Sequence, residues 1–456
     1  MKKKEMIIRS PSLGLMHFTG VLADLIGTPE MQRLSTIRQL GPLYIIYPGA
    51  QHMRLLHAME VAYTAIKISE KLGLPRDEVD CLGAAGLLHD LGHGPYSHST
   101  EILFNELFKE DHMDFTCQLI KGEKNMPVPE EEKGHVNMGQ IPEILRSYGH
   151  DPNVISALIR RKFSKKPYMQ QMIFGAIDAD QLAFLITDSR FSGVNYGDIS
   201  VDTITEFFSL ETKYDHKTYL FASEKAIPAI KDMLMARSSM YNFYLTDTGL
   251  VVGNMIQNAI KKAFEGGELK DFYIYTDDEL RSKLIASKIP FVREMGIRIK
   301  YRDLLKIAYR IKSVYSSKQL EFLKDLENHE LSRRLRVELN EDSKRLLAKL
   351  NGIGEEKLRD MIYEEIKDGK ITKDHIFINM RSIENIDLTE PRLKEARDID
   401  IIKDGKQVKF GALEPLFTLF IENAVTLSAV FYIAVPEEYK AATAAFMDNL
   451  TKELGK

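Results

Sequence analysis

The chain of 456 residues is poor in cysteine. It has two, Cys81 and Cys117, and no Cys-x-x-Cys pair. That argues against a disulfide framework and against a thiolate zinc cluster, and it fits a reducing cytoplasm. No apolar run reaches the length a membrane span needs. The opening MKKKEMIIRSPSLG is basic but lacks the apolar core of a secretory signal, so a cytoplasmic protein is expected. Net charge is small as well: 62 basic against 66 acidic residues leave −4, so the total draws the chain neither to nucleic acid nor to an anionic membrane. Internal repeats and low-complexity tracts are also missing. What is present is an ordinary globular composition, 44% hydrophobic and 28% charged, in a chain long enough for a large core and two lobes.

The expected fold is mainly α, with a smaller C-terminal α+β lobe. TPEMQRLSTIRQLG (28–41) reads as a short helix, with Thr28 as N-cap, Pro29 at the first helical position and Gly41 beyond the end. Apolar residues at helical spacing predict helices over 52–73 and 76–92, the second rich in small residues that suit close packing. Asp151-Pro152 opens another helix, 168–191 reads as one long apolar helix, and 225–245 as a further one. Residues 212–223 read as a hairpin. After about residue 320 the character shifts: a strand at 375–382, a hairpin at 399–410 turning on Asp404-Gly405, a buried strand at 427–436 and a closing helix at 437–454. Two units are expected, 1–320 helical and 321–456 α+β.

The stretch GLLHDLGHGPYSHS (86–99) carries the chemistry. It packs His89, Asp90, His93 and His98 into ten residues, with Gly92 and Gly94 on either side of His93. Taken alone it fits a helix C-cap, with Gly92 as the left-handed residue and a histidine facing the negative helix end. It equally fits half of a metal site, because a buried Asp90 would cost several kcal/mol, to order of magnitude, without a cation or donors. Further ligands would come from elsewhere: His57 in the preceding helix, and Asp178 or Asp180 in GAIDADQL. His57, His89, Asp90 and one of these aspartates form an N2O2 set suited to Mn²⁺, Fe²⁺, Co²⁺, Ni²⁺, Zn²⁺ or Mg²⁺. A divalent ion with open positions lowers the pKa of bound water and attracts phosphoryl oxygens, so the residues point to a metal-assisted phosphoester hydrolase.

The pattern His57, His89-Asp90 and Asp180, with YPGAQHMRLLHAMEVAYTA (47–65) upstream and HDLGHGPYSHS (89–99), resembles the HD-domain superfamily, and within it the deoxynucleoside triphosphate triphosphohydrolases, from about residue 20 to 315. The resemblance implies a helical HD-domain bundle and metal ligands His57, His89, Asp90 and Asp180. It implies catalytic roles for His93, His98 and His135, which would bind the α-phosphate and protonate the 5′-oxygen. Substrate contacts would come from Gln39, Leu40, Arg54, Asp188, Arg237 and Tyr241. The implied reaction turns a dNTP and water into deoxynucleoside and inorganic triphosphate, in a homo-oligomer, dimer or tetramer.

Departures from the family pattern are part of the reading. Leu245 stands where the family has a tyrosine under the deoxyribose; Gln181 replaces a phosphate-binding lysine, and Phe184 a tyrosine. Gly27 and Ser35 occupy the places of an aspartate and an arginine that read an activating guanine, while Gln32, Arg302 and Lys306 remain as an allosteric phosphate-binding remnant. The basic stretch 293–312, with seven basic and two acidic residues and Tyr301 and Tyr309 interleaved, reads as a solvated helix face or a nucleotide or subunit interface rather than a nucleic-acid stripe. Two other functions fit the same motifs: a general HD phosphatase or phosphodiesterase acting on monophosphates, cyclic nucleotides or nucleic-acid ends, and a nucleotide- or nucleic-acid-binding protein with a structural metal.

Overall fold

The computed structural model describes residues 5–128, 134–195, 197, 199–311, 341–380, 395–424 and 431–455. The fold is mainly α. The chain opens with an antiparallel hairpin, β1 (Glu5–Ser10) and β2 (Gly14–Thr19). Two packed helices follow, α1 (Arg54–Lys71) and α2 (Arg76–Leu88). Their contact explains the small residues of the second helix. A Cβ on Gly86 would lie 3.2 Å from the Ala62 backbone, and one on Gly83 would lie 3.1 Å from the Ile66 side chain. Without Cβ atoms the two axes come close enough to bring His57 on α1 beside His89 at the end of α2.

Next come α3 (His98–Phe108), α4 (His112–Lys121), α5 (Pro152–Ile159) and α6 (Ala179–Ser192). Asp111 caps α4 through a reciprocal capping box with Asp114, and Asp151 caps α5 by accepting from the Asn153 amide at 2.9 Å. Two expected helices come out shorter. The helix expected over 28–41 stops at Arg33, where a 3₁₀ turn leads into extended backbone that bridges Arg38 to Met53. The helix expected over 168–191 is two, Pro167–Ile173 and α6, because Asp178 caps the second by accepting from the Gln181 amide at 2.7 Å. Apolar periodicity continues across that break, so only the capping interaction reveals it.

A hairpin of β3 (Phe208–Thr212) and β4 (Thr218–Ser223) leads to the long helices α7 (Ile227–Tyr244) and α8 (Asp247–Glu265), then to α9 (Pro290–Tyr301) and β5 (Lys306–Ile311). The boundary expected at 320/321 lies outside the described residues. Beyond it come β6 (Phe377–Met380), the hairpin of β7 (Asp400–Lys403) and β8 (Lys406–Lys409), β9 (Phe431–Val435) and the closing helix α10 (Lys440–Gly455). Asp404 and Gly405 both have positive φ, as a tight two-residue hairpin turn requires. Each later sheet joins strands from both of the expected units, 1–320 and 321–456. β4 pairs in parallel with β7, Ala222 opposite Ile401, and β9 lies antiparallel between β5 and β6.

Two apolar cores result, a large one beneath the helices and a smaller one around Leu347, Leu358, Ile362, Phe431, Ile433 and Met447. The basic stretch 293–312 is not one helix face: α9 ends at Tyr301, Arg302 is left-handed, and β5 follows. Several of its cations pair within the fold, Arg298 with Glu294 and Asp303, and Arg310 with Asp247. Among the described residues no helix is long and apolar enough to cross a membrane.

Because α1 and α2 meet through Gly86, Gly86→Val should overpack that contact. The expected cost is about 1–3 kcal/mol, read as a lower urea midpoint with an unchanged slope; an unshifted midpoint would mean the helices meet elsewhere.

Candidate active site

Four side chains converge from three elements. His57 projects from α1, His89 and Asp90 from the end of α2, and Asp180 from the first turn of α6. His57 Nε2 lies 3.3 Å from Asp180 Oδ1 and 3.6 Å from Asp90 Oδ2. His89 Nε2 lies 3.3 Å from Asp90 Oδ1 and 3.8 Å from Asp180 Oδ1. The ligand atoms of His57, His89 and Asp90 are mutually close enough to hold one ion. All four residues are buried. Asp178, capping α6, is occupied otherwise.

The surroundings fit a divalent cation. His89 Nδ1 sits 2.8 Å from the Gly86 carbonyl, which can only accept, so Nδ1 carries the proton and Nε2 presents its lone pair to the cluster. Burial also pushes the His89 pKa down, favouring the neutral, ligating form. For Asp90 burial works against ionisation, but His89, Arg54 and His93 outweigh it and hold the carboxyl well below its usual range. For His57 burial lowers the pKa, yet the bond to Asp180 overcomes it and raises it. This chain lacks a full set of internal partners here: Arg54 Nη2, His93 Nε2 and Gln39 Oε1 are buried without a hydrogen bond among the described residues.

Next to the cluster lies a second group of histidines. His93 Nε2 is 3.4 Å from Asp90 Oδ1, and its ring stacks on His112 at 3.9 Å between centroids. Burial, aided by the charges of Arg54 and His112, keeps His93 well below the usual histidine pKa and therefore neutral. The His98 ring is 4.9 Å from His93, and its side chain is 68% exposed. Glu101, one turn into α3, bonds Nδ1 of His98 at 2.9 Å and Nδ1 of His112. Burial pushes the Glu101 carboxyl up, but the bonds to His112 and His98 dominate and hold it far below the ordinary carboxylate range. One carboxylate thus orients two imidazoles and leaves both Nε2 atoms for a ligand. Asp90, His93 and His112 form a second group whose ligand atoms lie close together.

Glycine and strain shape this group. Gly92 does not have the positive φ of a left-handed cap; a Cβ there would lie 2.4 Å from the His112 carbonyl oxygen and 2.7 Å from the Thr116 amide. Gly92 is therefore a contact point that lets α4 come in and deliver His112. The turn that follows holds Tyr96 and Ser97 at φ 57° and 53°. Such backbone costs of order 1–3 kcal/mol and persists only where neighbours over-determine it. Here they do: buried Asp277 accepts from the Tyr96 amide at 2.7 Å and the Arg38 amide at 3.0 Å, while Ser97 Oγ accepts from Arg54 Nε at 2.8 Å.

His57, His89, Asp90, Asp180, His98 and His112 line a cavity of about 390 Å³ that shares Gln39, Leu40, His98 and Tyr244 with a second of about 370 Å³, so the two form one chamber. Two larger cavities, each about 580 Å³, are lined by neither histidine group. Leu40, Asp188, Arg237 and Tyr241 line the metal-side cavity; Asp188 accepts from His52 at 2.7 Å and from Tyr244, and Arg237 donates to Gln181. Arg54 is bound to Asp90 and Ser97. His135 is not brought in: it lies on an exposed turn, outside the lining, and His112 occupies the place beside His93. Gln32, Arg302 and Lys306 face separate partners, the Ile26 carbonyl, the Ile45 carbonyl and Glu437. Sequence reasoning missed Glu101, His112, His52 and Tyr244. Glu101 had a local signal, its helical spacing from His98; His112 had none beyond following a capping Asp111.

Known proteins resemble the part of the chain that carries this site. Residues 54–181 match the HD domain, and residues 211–349 the HD associated region. The Bacillus subtilis protein YwfO is 31% identical over 246 residues, 52% of this chain and 51% of its own. The Methanocaldococcus jannaschii protein MJ1154 is 29% identical over 289 residues, 63% of this chain and 56% of its own. Human SAMHD1, a deoxynucleoside triphosphate triphosphohydrolase, is 24% identical over 349 residues, 66% of this chain and 54% of its own. The chain thus spans little more than half the length of these relatives. A crystal structure of a hypothetical protein from Aquifex aeolicus shares the fold, with TM-score 0.67 and 22% identity over 97% of this chain and 100% of that one. The metal-type cluster of α1, α2 and α6 therefore lies within an HD domain followed by its associated region, in a chain that resembles the deoxynucleoside triphosphate triphosphohydrolases of the HD superfamily.

Proposed function

We propose that the chain is a metal-dependent phosphohydrolase that cleaves a deoxynucleoside triphosphate at its α-phosphorus and releases deoxynucleoside and inorganic triphosphate. The observation that carries this reading is the contact between the two groups: Asp90 belongs to the His57–His89–Asp180 cluster and also faces His93, within a chamber that His98 and His112 enter. A divalent ion held by His57, His89, Asp90 and Asp180 supplies a Lewis acid for phosphoryl oxygens and a water of lowered pKa.

The protein's own groups do the rest. His89, Arg54 and His93 together keep Asp90 ionised, Arg54 by donating to it. Neutral His93 can donate a hydrogen bond to a phosphoryl oxygen without adding charge. His98, oriented by Glu101 and open to the cavity, is placed to give a proton to the departing 5′-oxygen. Tyr244 and His52 hold Asp188 on the nucleoside side, and Gln39 with Leu40 forms the passage to the second cavity, whose amides Asn254 and Gln257 face the room for a base. The similarity to SAMHD1 supports a deoxynucleotide. Neutral Gln181 beside Asp180 and Phe184 in the wall favour a second reading, a phosphatase or phosphodiesterase for shorter phosphate esters.

Incubation with dNTPs, NTPs, monophosphates and cyclic nucleotides, with Mn²⁺, Mg²⁺ or Co²⁺, separates these by product. Triphosphate release is expected; phosphate released from a monophosphate alone would favour the second reading. Asp90→Ala and His57→Ala should lose bound metal, measured by elemental mass spectrometry, together with all turnover; metal content near wild type would refute the ligand set. His98→Ala should keep its metal and lower kcat by ~10²–10⁴, the scale of a lost general acid. Glu101→Gln should also keep its metal and lose roughly 10–100-fold in kcat, the scale of an orienting partner; a change confined to KM would remove Glu101 from that role.

A further inference from the structure

The turn after α5 holds an arginine where chain geometry favours glycine. The Arg161 amide donates to Leu158 O at 3.2 Å and the Lys162 amide to Ala157 O at 2.8 Å, the paired bonds of a helix ending in a left-handed residue. That residue is Arg161, at φ 57°. Two neighbouring helices end in the same conformation on glycine, α4 at Gly122 and α6 at Gly193, both at φ 77°. A side chain at such a position costs about 1–2 kcal/mol, so the end of α5 carries a penalty that the other two avoid.

The side chain reaches the active site. The Arg161 guanidinium sits 5.0 Å over the Phe174 ring, and the same ring meets His89 edge-on at 6.1 Å. Arg161 therefore lines the metal-side cavity one aromatic ring away from the metal-type cluster. It does not line the second cavity, which joins the first through Gln39, Leu40, His98 and Tyr244. The other arginines near the cluster are bound to protein groups, Arg54 to Asp90 and Arg237 to Gln181. Arg161 makes no ion pair among the described residues and is exposed at the mouth. The cation–π contact with Phe174 holds the guanidinium beside the cavity, and a guanidinium there can offer its N–H fork to two phosphate oxygens at once.

We propose that Arg161 binds the polyphosphate tail of the nucleotide, the phosphates beyond the one attacked, and so selects triphosphates over monophosphates. The proposal rests on the triphosphohydrolase reading above. With the α-phosphate at the cluster and the nucleoside in the second cavity, the tail leaves on the Phe174 side and meets Arg161. The cation that neutral Gln181 and Phe184 do not supply thus comes from the α5 turn.

Arg161→Gly separates this role from a structural one, because glycine suits the backbone better. The variant should melt no lower than wild type and keep its metal. Its KM for a dNTP should rise roughly 10–100-fold, the scale of a lost charge-assisted bond of about 1.5–3 kcal/mol, with kcat changed far less. Calorimetry on the metal-loaded protein, with metal in excess, reads the same site without turnover. Inorganic tripolyphosphate should bind the variant more weakly by a similar factor, deoxynucleoside monophosphate should bind both alike, and Arg161→Lys should recover part of the loss. Unchanged tripolyphosphate affinity, an equal loss for the monophosphate, or no tripolyphosphate binding by wild type would each overturn the proposal. Absence of triphosphate among the wild-type products would instead overturn the reading on which it rests.

Discussion

The site depends on keeping one buried carboxylate charged. Asp90 has lost nearly all its water, and an isolated carboxylate there would take up a proton. Arg54, one turn before His57 on α1, prevents this by donating to it. The same guanidinium reaches Ser97 through Nε, so a single buried cation ties the start of α1, the end of α2 and the strained turn before α3. Asp277 tethers that turn from the other side through two backbone amides. Beside this tie each of the two imidazoles lies within 4 Å of both carboxylates.

The second layer follows from close approach rather than from charge. With no Cβ on Gly92, the chain at His112 and Thr116 packs directly on the turn, and Thr116 Oγ1 accepts from the Gly92 amide at 2.8 Å. This contact sets His112 on His93, and Glu101 then joins His112 to His98. The metal-type cluster and the proton-handling group share Asp90, so neither can shift without the other. The second cavity is reached past Gln39 and Tyr244, and neither Phe174 nor Arg161 lines it. A molecule in the chamber therefore has a direction: one end toward the amides of α8, the other toward a cation.

Much of this was legible before any coordinates. Helical spacing marked α1 and α2, Asp151-Pro152 marked the start of α5, and Asp404-Gly405 marked the β7–β8 turn. The HD motif singled out His57, His89, Asp90 and Asp180, and the structure brings those four together. What was not legible has physical causes. An apolar run does not show where a cap interrupts it, so 168–191 reads as one helix until Asp178 turns back on the Gln181 amide. Gly92 looks like a helix cap because glycine after a helix usually is one; its actual role is set by α4, which sequence spacing does not place.

His135 and His112 show the same limit. Both follow the HD motif and both precede the next predicted element, so one-dimensional distance cannot choose between them. Only the packing of α4 against the turn puts His112 on His93 and leaves His135 on an exposed turn. Nothing in the sequence singles out Arg161 until the left-handed end of α5 and the Phe174 ring place it at the cavity. By itself, then, the sequence determined the chemical types, the helices that carry them and the metal-ligand pattern, because these follow from local periodicity and side-chain chemistry. The tertiary structure alone decided which histidines and cations share the cavity, because that depends on contacts between segments far apart in the chain.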